Sequence, residues 1–186
     1  TLQDLLSYAK SNPGRWNIGS INIGSTQHLT AELFKSLAGI DAQVVPFNGS
    51  PAVLTALRGG QIDVGVEILA PLLPQVKSQA LRVLAVTGDK RSAALPQTPT
   101  AKEAGVRGLS ASSWNALAVP AKTPRDIVQK LQLEIQNALS APDVRKRLMD
   151  MNVDPHPSTQ AQAADHLQVE TKRWGEVIQR AGIAKQ

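Results

Sequence analysis

The side chains able to do chemistry are few. The chain holds three histidines, His28, His156 and His166, and no cysteine. No two histidines have the spacing of metal ligands, so no metal site is expected, and a thiolate site or disulfide scaffold is excluded. Ser25 and His28 lie three apart, neighbours if the segment is helical, which raises a nucleophile with its base. Neither serine of that loop sits in a Gly-x-Ser-x-Gly elbow, and no acid is placed to orient His28. A histidine packed in a first helical turn is preferred to acyl transfer. No catalytic residue and no cofactor are assigned.

The stretch Asn17-Ile18-Gly19-Ser20-Ile21-Asn22-Ile23-Gly24-Ser25-Thr26-Gln27-His28-Leu29 reads as a strand, a Gly/Ser loop and the first turn of a helix running to about Leu37. Its two glycines are expected to give φ > 0 and close approach to a ligand. Ser25 or Thr26 can cap the helix, and the free N–H groups beyond the cap suit an anion. The spacing from Gly19 to Gly24 resembles a phosphate loop, but Ser25 stands where that motif has lysine, so a carboxylate is favoured over a nucleotide. The expected ligand residues are Ser20, Asn22, Gly24, Ser25 and Thr26. Two more lie on neighbouring loops. Asn48, at a strand exit, is either a ligand contact or a plain turn asparagine. Glu67, ending an apolar strand, is a general base, a ligand contact or a solvated acid, and a carboxylate there suits a ligand bearing an amine. Trp114 is a packing residue at a lobe junction or a wall of the cleft.

The elements that hold these residues follow from periodicity. Leu2, Leu5, Leu6 and Ala9 form a helical stripe ended at Asn12-Pro13-Gly14, and Leu29, Leu33, Phe34 and Leu37 form another ended by Gly39. Residues 43–47 predict a strand, Pro51 opens a helix that stops at Gly59-Gly60, and 62–67 predict a strand. A short helix is expected over 70–76 and a buried parallel strand over 81–86. This alternation predicts an α/β fold with a mostly parallel sheet and helices on both faces. Loops 20–26, 48–50 and 67–69 all leave strand ends and should converge on one edge. Residues 95–108 read as a connection with one short helix near 100–104, and 112–120 as a further strand.

Beyond this point the pattern is helical. Thr123-Pro124-Arg125-Asp126 approximates a capping box. Ile127, Leu131, Ile135 and Leu139 make one stripe. A helix starts near Pro142, and a last one starts at Ser158, with Ala164, Leu167, Thr171, Trp174 and Ile178 on one face and Gly182 as its stop.

Composition bounds the function classes. The 186 residues are 42% hydrophobic and 19% charged, which suits one globular domain or two small lobes with an aliphatic core. No run reaches the ~20 apolar residues of a membrane span, and no signal peptide is seen. The net charge of +5 invites nucleic acid. The basic residues are spread along helices and mixed with acids, so solvated helix faces are the better reading and no nucleic-acid partner is expected.

Several stretches taken together resemble one family. Gly19-x4-Gly24-Ser25-Thr26-Gln27-His28-Leu29, then Glu32-Leu33-Phe34-Lys35, Val45-Pro46-Phe47-Asn48-Gly49-Ser50 and Gly59-Gly60-Gln61-Ile62-Asp63 come first. Leu84-Ala85-Val86-Thr87, Arg91-Ser92, Leu95-Pro96, Pro99-Thr100, Glu103-Ala104-Gly105 and Ser113-Trp114 follow in the same order. In sequence and spacing they resemble the periplasmic solute receptors of tripartite tricarboxylate transporters, the Bug or TctC proteins. The resemblance implies a periplasmic-binding-protein-like type II fold, with two α/β lobes closing on a small carboxylate and delivery to transporter membrane subunits. It implies that residues 1–110 form the complete second lobe, which carries the ligand loop. Residues 111–186 would be a crossover strand and C-terminal helices returning to the first lobe, so the chain is expected to be the C-terminal portion of such a receptor. The family's lysine is Asn48 here, its Asp-Asn at the strand exit is Glu67-Ile68, and its aromatic-glycine pair after Trp114 is Asn115-Ala116. The solute is therefore not carried over. Without the first lobe's opening strands the helical stripes would lack their cover, and either a dimeric or swapped assembly or disorder after about Pro120 is expected.

The sequence is read as that of a periplasmic, non-enzymatic solute-binding protein. The rivals are a ligand-sensing regulator domain of the same fold and a serine-type hydrolase using Ser25 and His28.

Overall fold

The computed structural model describes residues 1–184. They fall into two compact units, one built from Thr1–Ser113 with the residues from Glu176 on, the other from Trp114–Gly175.

In the first unit α1 (Leu2–Ser11) opens with a full capping box, Thr1 and Asp4 each accepting from the other's backbone N–H. Then come β1 (Asn17–Ile21), α2 (Thr26–Ala38), β2 (Gln43–Phe47), α3 (Ser50–Arg58), β3 (Val64–Gly65) and α4 (Leu69–Lys77). The three strands are parallel in the order β2-β1-β3. The strand that carries the Gly/Ser loop is thus central. Pro46 lies opposite Ser20 in β2, an edge strand, where a missing N–H is tolerated.

Side chains alternate across β1. Ile18 and Ser20 are fully buried on one face. Gly19 and Ile21 face the cluster of Val53, Ala56 and Ile62, against which Val45, Phe47 and Leu57 also pack. Fully burying an aliphatic side chain contributes roughly 1.5–3 kcal/mol, so Ile18 and Val53 are major anchors of this unit. α2 ends where the sequence predicts, at Gly39 with φ +62°.

Several expectations fail. The strand predicted over 62–67 is assigned at only two residues, Val64 and Gly65, although the Asp63 N–H donates to Asn17 O at 3.1 Å and the Val66 N–H to Gly19 O at 2.9 Å. The backbone follows β1 on one side, and among the described residues no outer strand extends the ladder. The predicted strand over 81–86 is absent for the same reason. It makes one isolated bridge, Val86 with Thr100, and its side chains are mostly half-buried. In place of a helix near residue 100 there is a single turn, closed by Ala104 N–H to Thr100 O. Thr100 and Glu103 cap each other at its start. Residues 112–120 form no strand and are largely exposed.

The second unit holds α5 (Arg125–Ser140), α6 (Pro142–Asp150) and most of α7 (Gln160–Ala181). The capping box expected from Thr123 to Asp126 does not form. Pro124, extended at ψ 143°, is itself the N-cap and has no side chain to offer. α7 starts after Ser158, with Thr159 and Gln162 making the reciprocal cap. The expected stripe on α5 is largely solvent-facing, with Ile127 and Leu131 exposed.

Gly19 corrects a further expectation. It carries no positive φ. A Cβ there would overlap Ile62 Cδ1 and come within 3.5 Å of Phe47 Cε2. Its role is close packing beneath the sheet. Gly19→Ala is expected to destabilise the fold by about 1–3 kcal/mol through overpacking, measured by urea unfolding. An unchanged midpoint would show that Ile62 can move aside freely.

Candidate functional site

The parallel strands end together, and the loops that leave them meet at their carboxyl edge. Here the α2 N-terminus, the α3 N-terminus and the residues after β3 are joined by side chains. Glu67, two residues beyond β3, accepts from Gln27 Nε2 at 3.3 Å and from the Ser50 hydroxyl. Gln27 belongs to the first turn of α2, and Ser50 is the first residue of α3. One carboxylate thus ties three loops together, as the expected convergence requires.

The Gly/Ser loop turns through the Ser25 N–H donating to Asn22 O at 3.0 Å. Gly24 has φ +82°, and no heavy atom lies within 4 Å of a Cβ placed there. Of the two loop glycines it alone fills the conformational role the sequence suggested. Ser25 is the N-cap of α2. Its oxygen accepts from the His28 N–H at 3.1 Å, and its hydroxyl donates to Ile21 O at 3.2 Å. The N–H groups of Thr26 and Gln27 then have no intrahelical acceptor, and they are the donors an anion would meet.

The expected ligand residues differ in their availability. Asn22, Gly24 and Asn48 are exposed, and Thr26 is half-buried. Ser20 is fully buried and its hydroxyl donates to Ile21 O at 3.2 Å, so it supports the strand end. Gln27 and Ser50 join the candidate site through Glu67, and the sequence does not single them out. Gln27 sits in a run whose clearest signal is its apolar stripe, and Ser50 sits in a turn. Trp114 lies in the other unit, 40% exposed, with its ring edge-on to His166 at 5.0 Å between centroids.

His28 is buried, and its Nδ1 has no hydrogen-bond partner. The Ser25 oxygen bonds the amide of His28, which leaves the imidazole out of that contact. Burial holds the His28 pKa below the usual histidine value. Glu32 opposes that shift and Lys35 adds to it.

The whole chain has counterparts. The family model described as "Tripartite tricarboxylate transporter family receptor" matches residues 1–183. The chain belongs to this family. A UPF0065 protein in the gbd 5' region of Cupriavidus necator is 33% identical over 185 residues, which are all of this chain and 56% of that protein. The protein BugT of Bordetella pertussis is 29% identical over 98% of this chain and 56% of its own length. Among solved structures, an R. palustris protein with adipate superposes with TM-score 0.87 at 33% identity, covering 99% of this chain and 62% of that one. MatC from Rhodopseudomonas palustris with bound malate superposes at TM-score 0.78 and 30% identity, covering 95% and 61%. The chain spans about half the length of the curated relatives it matches. The α/β fold with a parallel sheet is thus that of periplasmic binding proteins of the TctC type.

The histidine gives a test of this packing. A group with a depressed pKa binds its proton more weakly when folded, so the unfolded chain takes up protons first as pH falls below about 6.5. Stability contributed by neutral His28 is present above that value and is lost on acidification through the window beneath it. The melting temperature should drop between pH 7.5 and pH 5.5, and His28→Gln should flatten that part of the profile. An identical slope in the variant would assign the acid sensitivity elsewhere.

Proposed function

We propose that this chain supplies the ligand-loop half of a periplasmic solute receptor, which captures a small carboxylate and presents it to the membrane subunits of a tripartite transporter. The observation that carries the reading is the open, donor-rich first turn of α2 at the carboxyl edge of the sheet, where Glu67 gathers all three loops. Two structural neighbours, one with adipate and one with bound malate, support a carboxylate as the ligand class. The carboxylate would lie at Gly24, Ser25 and Thr26, taking the free N–H groups and the Thr26 hydroxyl. Asn22, Asn48 and Glu67 would read the remainder of the solute, and Ser20 would brace the strand from beneath. Residues 1–110 would act as one lobe and 111–186 as the return to the other. Lobe closure on the solute would be the signal to the transporter.

Among the described residues no helix is long and apolar enough to cross a membrane. The hydrolase alternative has little support, because Ser25 is committed as a helix cap and bonds an amide of His28. A regulator domain of the same fold would share the site, and a DNA-binding helix-turn-helix on the same polypeptide would favour it.

A thermal-shift screen of mono- and dicarboxylates on the full-length protein tests the reading. A ligand at 100 times its Kd raises stability by about 2.7 kcal/mol. Charge-assisted hydrogen bonds contribute roughly 1.5–3 kcal/mol each. Thr26→Val should therefore weaken the best ligand by tenfold or more. A panel without any melting shift would remove the carboxylate reading, and an unchanged Kd in the variant would move the site away from this loop.

The assembly belongs to the same proposal. Ile127, Leu131 and Leu167 are 47%, 41% and 54% exposed. Apolar side chains in that number on α5 and α7 favour association, and a dimer or swapped form of the 186-residue chain is expected in sedimentation equilibrium. A monomer at every concentration would sink that part alone.

A further inference from the structure

We infer that Glu67 sets the charge of the solute: beyond its carboxylate, the bound molecule carries a hydrogen-bond donor, ammonium or hydroxyl, in place of a second carboxylate. The inference rests on the carboxylate site proposed above and sharpens it.

The argument begins with the loops themselves. The stretches 20–27, 48–50 and 67–69 contain a single charged residue, Glu67, and no lysine, arginine or histidine. Within these loops a second carboxylate would find no cation to meet it. The one fixed charge present has the same sign, and like charges sharing a site disfavour one another.

The placement of that charge is specified by the fold. The Val66 N–H donates to Gly19 O at 2.9 Å, so the residue before Glu67 is fixed against the central strand. α4 begins two residues after Glu67. From this short span the side chain reaches Gln27 on α2 and Ser50 on α3, at the first turns of both helices. No lysine or arginine nitrogen among the described residues lies within 4.0 Å of it. The charge is held by neutral donors and by the positive ends of helices.

The coordination is also incomplete. An ionised carboxylate accepts at about four lone-pair positions. Gln27 uses one position and Ser50 another, one on each oxygen. Glu67 is half-buried, and its remaining acceptor capacity faces no donor from the described residues. A solute ammonium or hydroxyl completes this set, whereas a solute carboxylate brings further acceptors and further negative charge.

Matched ligand pairs test this on the full-length protein by isothermal titration. Succinate is compared with 4-aminobutanoate and adipate with 6-aminohexanoate, each pair equal in chain length and different in the terminal charge. The amino partner should bind at least tenfold more tightly than the dicarboxylate in one of the pairs. Glu67→Gln keeps the size and one of the two acceptor oxygens while removing the charge, and it should bring that ratio to one or invert it. A wild-type preference for the dicarboxylates in both pairs overturns the inference and leaves the carboxylate site standing, even if the variant does not fold. So does a ratio unchanged within twofold in folded Glu67→Gln. Binding by none of the four removes the carboxylate reading, and this inference with it.

Discussion

The central position of β1 is the constraint on which the ligand-loop unit depends. Its residues pair with β2 on one side and β3 on the other, and Gly19 lies opposite Val45 and Gly65 in the same register. Parallel strands send their carboxyl ends to one edge, so fixing β1 fixes where three loops emerge. The lack of a side chain at Gly19 allows Ile62 to close under the strand, and Ile62 in turn packs with Val53 and Ala56 of α3. A tight contact beneath the sheet therefore sets the start of α3, and with it the position of Ser50 above.

At that edge the electrostatics are organised by helix ends. Two first turns point partial positive charge at the same region, and Glu67 meets both through Gln27 and Ser50. Ser25 uses its hydroxyl to cap and to anchor, which holds the α2 N-terminus in place without exposing a nucleophile. Burial of His28 beneath it holds its pKa below the usual histidine value, which disfavours a cation at the loop. Within the stretches 20–27, 48–50 and 67–69 the result is a donor-rich surface whose one full charge is negative. Backbone N–H groups carry the attraction for an anion, and their strength depends on the cap remaining formed.

What the sequence made legible follows from how local each signal is. The helical stripe from Leu29 to Phe34 and the stop at Gly39 describe α2 because both are written within one element. Strand 43–47 was equally clear, bounded on each side by turn residues. The run 81–86 looked like a strand because it is apolar, but a strand requires a neighbouring backbone, and only Thr100 bridges to it. Gly19 and Gly24 are alike as letters. One is needed for space under a sheet and the other for φ +82°, a distinction that depends on Ile62, far along the chain. Thr123 looked like a cap until Pro124 took that position by its own fixed geometry.

The candidate site residues divide along the same line. Gly24 and Thr26 are legible as candidates because loop and helix start are adjacent in sequence. Gln27 and Ser50 were not, since their importance comes from Glu67, 40 and 17 residues away. Ser20 shows the converse, because a serine near a ligand loop suggests a ligand contact while period-2 alternation places it inside. From sequence alone Glu67 stands between base, ligand contact and solvated acid. The hydrogen bonds remove full solvation from that set. A general base needs a substrate proton within reach and a partner that tunes it, whereas both oxygens of Glu67 are engaged by the neutral donors Gln27 and Ser50. That arrangement suits the recognition role proposed for it.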